Sequence, residues 1–197
     1  NRRVRALFSS PSGTGKTLAA RILAAELGLV LYRIDLAAVV DKYVGETERN
    51  LSRLFARAEE QDIVLLLDKG DSLLTGRTDV RSANDRYANM ETNYLLQRLE
   101  RYEGILLVTT NAVGRIDSAF QRRMDVHIEF AAPDAAQRYA IWQRHLPRDG
   151  HRLDEAFLRL VAARCALNGG QIRNGALHAI VLAVDAGRPL EQADLVE

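Results

Sequence analysis

Cysteine is nearly absent. Cys165 is the single one in 197 residues, which excludes an internal disulfide and fits a reducing, cytoplasmic setting. No apolar run reaches the roughly 18 residues that a membrane-spanning helix needs, and no secretory leader is read at the start. Neither charge is in surplus: 27 Lys and Arg stand against 26 Asp and Glu, a net charge of +1. That balance speaks against a nucleic-acid or membrane-surface protein, although a local patch can sit inside a balanced total. The 4 histidines lack metal-ligand spacing. Low-complexity linkers and internal repeats are missing. What remains is 47% hydrophobic and 27% charged, the profile of a globular chain with enough residues for a sizeable core. Cys165, with no catalytic partner in view, is expected in that core. Trp142 is expected to pack rather than to act.

The apolar pattern alternates. Val4–Phe8, Leu29–Asp35, Ile63–Asp68, Ile105–Asn111 and Asp125–Phe130 read as short strands. "IVLLLD" and "ILLVTTN" are continuous apolar runs, as expected of parallel strands buried on both faces. Between them, Gly15–Gly28, Thr47–Glu60 and about Asn84–Tyr102 read as helices, the second with Leu51, Leu54, Phe55 and Ala58 on one face. This rhythm predicts an α/β fold, a parallel sheet sandwiched by helices. After Pro133 the strands stop. Asp134–His145, Asp154–Cys165 and Gln171–Ala186 read as helices. The expected division is therefore an α/β subdomain at 1–132 and a small all-helical subdomain at 133–197. The chain opens just ahead of an apolar run and closes in a further expected helix, Glu191–Glu197, the pattern of a piece cut from something longer.

One stretch carries chemistry. "SSPSGTGKTLAAR" follows the first strand and opens a helix, the setting of the phosphate-binding pattern G-x-x-x-x-G-K-[ST]. Triphosphate oxygens need several N–H donors converging on them. Gly13 and Gly15 let the backbone curl, and the following helix offers free N–H groups and a positive dipole end. Lys16 is placed to reach the β and γ phosphates and Thr17 to ligate Mg²⁺. The binding segment is then Ser10, Pro11, Ser12, Gly13, Thr14, Gly15, Lys16, Thr17 and Leu18. Ser10 stands where the pattern has its first glycine. If that position needs a positive φ, serine costs roughly 1 kcal/mol or more; if it serves only close packing, the cost depends on a neighbour. Weakened rather than abolished nucleotide binding is expected. Asp68, at the end of a buried strand, is the second expected Mg²⁺ ligand.

With these residues in place the chain resembles the AAA+ ATPases, and within them the AAA family of protein-remodelling ring motors. The resemblance runs over essentially the whole chain. It implies a P-loop NTPase sheet with a helical lid, ATP or ADP with Mg²⁺ as ligands, and assembly into a homo-oligomeric ring, by family a hexamer, that acts on polypeptide. The family continues its second carboxylate strand as Asp-Glu, the Glu orienting and deprotonating the attacking water. This chain reads "LLLDKGDSLL". Lys69 in that place is a donor only, and loss of a general base is typically worth about 10²–10⁴ in rate. Asp71 is a candidate substitute base, and Lys69 an alternative partner for a γ-phosphate.

Further positions match residue by residue. Asn111 of "VTTN" corresponds to the sensor that positions the water. "DSAFQRRMD" resembles the segment of the arginine fingers, leaving Arg122 and Arg123 as candidates that reach a neighbouring subunit's site. In "DKYVGETERN", Tyr43, Val44 and Gly45 match the pore loop that grips an extended substrate polypeptide. "NGGQIRNGALHA" resembles the start of a lid helix, with Gly169 and Gly170 near the adenine and Arg173 as the lid's sensor arginine. The implied function is ATP binding and hydrolysis coupled to remodelling, unfolding or disassembly of protein, with hydrolysis impaired here by Lys69. The alternatives are a non-hydrolysing ATP-binding assembly or regulatory subunit, and a DNA-associated ATPase, for which no basic stripe is found.

Overall fold

The computed structural model describes residues 3–36, 47–71, 93–94, 96–114 and 116–196, with the backbone alone at 47, 48, 50 and 51. Its contacts separate into two units. The first holds the described residues of 1–11 and 16–130, the second those of 12–15 and 131–197.

The first unit is built on five strands: β1 (Val4–Ser9), β2 (Val30–Asp35), β3 (Ile63–Asp68), β4 (Ile105–Thr110) and β5 (Val126–Glu129). They form one sheet in the order β2-β3-β4-β1-β5, and every pairing is parallel. The apolar runs of β3 and β4 take the central places because both their faces are covered. Alternate side chains go to opposite layers. Leu7, Leu65, Leu67, Leu106 and Val108 face a core with Phe55, Ala58, Leu99 and Tyr102. Ala6, Phe8, Val64, Leu66 and Leu107 face the other, with Ala20 and Ala24.

Helix α1 (Lys16–Glu26) supplies those two alanines, whose small side chains let it lie close to the sheet. Helix α2 (Thr47–Glu60) covers the opposite face with Phe55 and Ala58, and Leu54 is partly buried beside them. Phe55 and Tyr102 meet edge to face, ring centroids 5.5 Å apart, which adds about 0.5–1.5 kcal/mol to their burial. Of the long helix expected at 84–102, residues 93–94 and 96–101 are described and are helical. The short α3 (Ser118–Gln121) starts on Asp117, whose carboxylate accepts from the Ala119 N–H.

Strand register brings polar residues together at one edge. Ser9 pairs with Thr110, and Asp35 with Asp68. The carboxyl ends of four neighbouring strands therefore stand in a row, the edge where open parallel sheets hold their ligands.

The second unit is helical: α4 (Ala135–His145), α5 (Glu155–Arg164), α6 (Gly169–Asp185) and a single 3₁₀ turn at Gln192–Leu195. Trp142, Leu146, Leu158, Ile172, Ala176, Ala179 and Leu190 make its core. Three expectations fail in this unit. Helix α6 begins at Gly169 rather than Gln171, because Asn168 and Gln171 form a capping box that closes the first turn. The terminal helix is only the 3₁₀ turn. Cys165 is exposed rather than in the core, because it is the C-cap of α5, past the last turn that faces inward.

Candidate functional site

The loop between β1 and α1 is shaped by two glycines, Gly13 at φ 80° and Gly15 at φ 101°. Both values lie in the left-handed region that favours glycine. A side chain at Gly13 would also be blocked, since its Cβ would fall 2.4 Å from Asn168 Oδ1. Residues 12–15 belong to the same unit as the start of α6. The Gly170 N–H donates to Gly13 O at 2.9 Å, and Asn168 Nδ2 to Ser12 O at 3.1 Å. The curled backbone followed by a helix N-terminus fits a phosphate chain.

Of the two alternatives for Ser10, backbone strain drops out and a neighbour remains. Among the described residues Lys69 alone has a positive φ without being glycine, so Ser10 carries no such strain. It is fully buried, and its hydroxyl is engaged. Lys16 Nζ donates to Ser10 O at 2.8 Å, Ser10 Oγ at 2.9 Å, Pro11 O at 3.1 Å and Asn111 Oδ1 at 2.8 Å. Burial lowers the Lys16 ammonium from its usual pKa, and the carboxylates of Asp71 and Asp68 oppose that shift. Asn111 is itself held by Asp71, which accepts from Asn111 N at 2.6 Å, Thr110 Oγ1 at 2.5 Å and Asn111 Nδ2 at 3.3 Å. The structure thus brings Ser10, Lys16, Asn111 and Asp71 into one cluster.

A second cluster lies next to it. Asp68 is buried and accepts from the Thr109 hydroxyl and from Lys69 N through Oδ1, and from Thr17 Oγ1 at 3.4 Å through Oδ2. Arg33 pairs with the same Oδ2 at 2.7 Å. Lys69 sits at φ 58° and turns its ammonium onto Asp35 Oδ2, 2.6 Å away. Thr17 and Asp68 place a hydroxyl and a carboxylate side by side, and such hard oxygen donors fit Mg²⁺, which keeps most of its shell for water and phosphate. Among the described residues no group of three or more His, Cys, Asp or Glu forms a metal site of its own.

Among the described residues, the remaining expected ones have local partners or face solvent. Leu18 is exposed on α1. Arg123 pairs with Glu100 at 2.6 Å and donates to Ala119 O at 2.6 Å, while Arg122 is exposed and makes a local bond to Ser118 O at 3.2 Å. Arg173 is exposed on α6, its guanidinium 3.4 Å from Asn174 Oδ1. Tyr43, Val44 and Gly45 lie outside the described residues. Sequence reasoning missed Arg33, Asp35, Thr109 and Thr110. Their signal is a polar side chain near the carboxyl end of a strand, visible in "LYRID" and "VTTN" but without a role until the strand order is known.

A five-stranded parallel sheet whose first strand runs into this loop, followed by a helical unit, is the fold of the AAA+ P-loop nucleoside triphosphatases. The model of the "ATPase family associated with various cellular activities (AAA)" matches residues 6–132, and the chain belongs to that family of ATPases. An uncharacterized AAA family ATPase of Sinorhizobium fredii is 37% identical over 134 residues, 68% of this chain and 41% of that protein. The 26S proteasome subunit RPT4 of Saccharomyces cerevisiae is 29% identical over 185 residues, 90% of this chain and 42% of its own length. The chain thus spans well under half of either relative. Among solved structures, the FIGL-1 AAA domain in complex with ADP superposes with a TM-score of 0.81 at 23% identity, over 98% of this chain and 69% of that one, and so shares the fold. No helix among the described residues is long and apolar enough to cross a membrane.

Proposed function

We propose that this chain binds ATP or ADP with Mg²⁺ through Ser10–Leu18 and Asp68, as the nucleotide-binding module of a ring-forming, cytoplasmic protein-remodelling ATPase. The observation that carries it is the meeting of Lys16, Thr17, Asp68 and Asn111 at the ends of neighbouring parallel strands, on a helix that follows a loop curled by Gly13 and Gly15. Lys16 neutralises the β and γ phosphates and Asn111 orients the attacking water. Bound Mg²⁺ supplies charge neutralisation on the transferring phosphoryl group. Arg122, less committed locally than Arg123 with its Glu100 pair, is the better candidate to reach a neighbouring subunit's site in a hexamer. Gly170 and Arg173 serve the nucleotide from the lid. Tyr43, Val44 and Gly45 grip the polypeptide substrate.

Hydrolysis is slow in this chain. The residue after Asp68 is a lysine neutralised by Asp35, not a carboxylate facing the water. Asp71 is a poor substitute base because three donors from Thr110 and Asn111 already occupy it. The same facts favour a second reading, a subunit that binds ATP to assemble or regulate a ring without turning it over.

Turnover of the chain and its Lys69→Glu variant, at concentrations where rings form, separates the two. The measurement must be repeated with Asp35→Asn, because the carboxylate introduced at position 69 would face that of Asp35. Restored hydrolysis in either background supports an impaired motor. Fast hydrolysis by the unaltered chain would sink the claim for Lys69, and no hydrolysis in any version would favour the regulatory subunit.

A further inference from the structure

The serine that replaces the first loop glycine is not a passive substitution. We propose that the Ser10 hydroxyl is a built-in competitor for the triphosphate, an oxygen ligand that holds Lys16 back and sets nucleotide affinity. This rests on the nucleotide-binding reading and goes beyond it, by assigning the affinity to a residue that the glycine pattern leaves without a side chain.

An ammonium has three N–H donors. Four oxygens already surround Lys16 Nζ within 3.1 Å: Ser10 O, Ser10 Oγ, Pro11 O and Asn111 Oδ1. Any phosphate oxygen that Lys16 takes must displace one of them. Ser10 O and Pro11 O belong to the backbone, and every residue at those places offers them. Ser10 Oγ exists only because serine stands here. It is aimed by its own bond, donating to Pro11 O at 3.0 Å, and it accepts from Lys16 through a lone pair. Both residues are buried, Ser10 at 0% and Lys16 at 8% exposure, so water does not readily replace the contact. The position tolerates serine because its φ lies outside the left-handed region.

The test uses Ser10→Ala, which keeps the Cβ and removes the oxygen, beside Ser10→Gly, which removes both. Titrations with ATP, ADP and AMP report affinity, since Lys16 serves the β and γ phosphates and AMP has neither. One hydrogen bond is worth about threefold to tenfold in affinity. Both variants are expected to bind ATP and ADP tighter by that factor, with AMP unchanged. A gain in Ser10→Gly alone would assign the effect to the Cβ and overturn the proposal. Equal or weaker ATP binding by Ser10→Ala would overturn it as well.

A second measurement needs no nucleotide. Reductive methylation of Lys16, followed by peptide mass spectrometry, is expected to run severalfold faster in Ser10→Ala than in the unaltered chain. Equal rates overturn the proposal. If no version binds ATP while Lys16 reacts faster in Ser10→Ala, the restraining contact stands and the nucleotide-binding reading fails.

Discussion

Two polar clusters stand side by side at the carboxyl edge of the sheet, and they are built on different principles. Around Lys16, one cation is enclosed by neutral oxygens and one carboxylate beyond them: Ser10, Pro11, Asn111, then Asp71. Around Asp68, charges alternate, with Arg33 on Asp68 and Lys69 on Asp35. The first arrangement leaves a buried positive charge that an anion can claim, at the cost of exchanging oxygens. In the second, each cation already has its carboxylate. On the proposed reading, a γ-phosphate meets the Lys16 attractor on one side and carboxylates already paired with cations on the other. That difference is the physical content of the proposal that this chain binds ATP better than it turns it over.

The largest expected effect tests the second cluster. Lys69→Glu combined with Asp35→Asn should raise ATP turnover by about 10²–10⁴, the usual worth of a general base, measured as phosphate release at ring-forming concentrations. An unchanged rate would break the contrast. Next is the first cluster. Lys16→Ala should weaken ATP binding by roughly a hundredfold or more, because it removes charge-assisted bonds to two phosphates. Calorimetric titration would show it, and a loss below about fivefold would mean that Lys16 is not the attractor. Smaller effects concern stability. Arg33→Ala leaves Asp68 buried without its cation and should cost about 1 kcal/mol, discounted because Arg33 is partly exposed. Lys69→Ala, at a more open pair, should cost less than about 0.5 kcal/mol. Urea unfolding midpoints would rank the two, and the reverse order would contradict a ranking by burial.

The helical unit supplies a control for what an aspartate–arginine pair does away from any site. Arg188 holds Asp194 through two bonds, at 2.8 Å and 2.7 Å. The Arg188 side chain and the Glu191 backbone N–H lower the Asp194 carboxyl to about 2. Its folded pKa lies below its unfolded value of about 3.9, so the stabilisation is full above about pH 4 and disappears as pH falls toward 2. Unfolding midpoints of the chain and its Asp194→Asn variant should differ at about pH 6 and converge over that window. A gap that persists at about pH 2 would show that the pair is not the cause.

Much of this architecture is legible in local pattern. The continuous apolar runs of "IVLLLD" and "ILLVTT" announce central parallel strands. The glycines of "GTGKT" announce the loop, because their positive φ is a property of the residue itself. Asp134 and Asn168, each followed three residues later by Gln, mark two helix starts to the residue, whereas apolar periodicity alone places the second of them two residues late. Other features are not available locally. Arg33 and Asp68 lie far apart in the chain and meet because β2 and β3 are neighbours in register. The exposure of Cys165 depends on where α5 stops relative to its core, which hydrophobicity alone does not say.

By itself, then, the sequence determined most of the element types, the glycine-curled loop and the family to which its motifs belong, since all of these are local in chain position. Tertiary structure decided the rest. It set which oxygens surround Lys16, which carboxylate neutralises Lys69, and that the Ser10 hydroxyl meets Lys16 without backbone strain. The reason is the same in each case. A side chain's charge is written at one position, but the potential it experiences comes from the strands folded next to it.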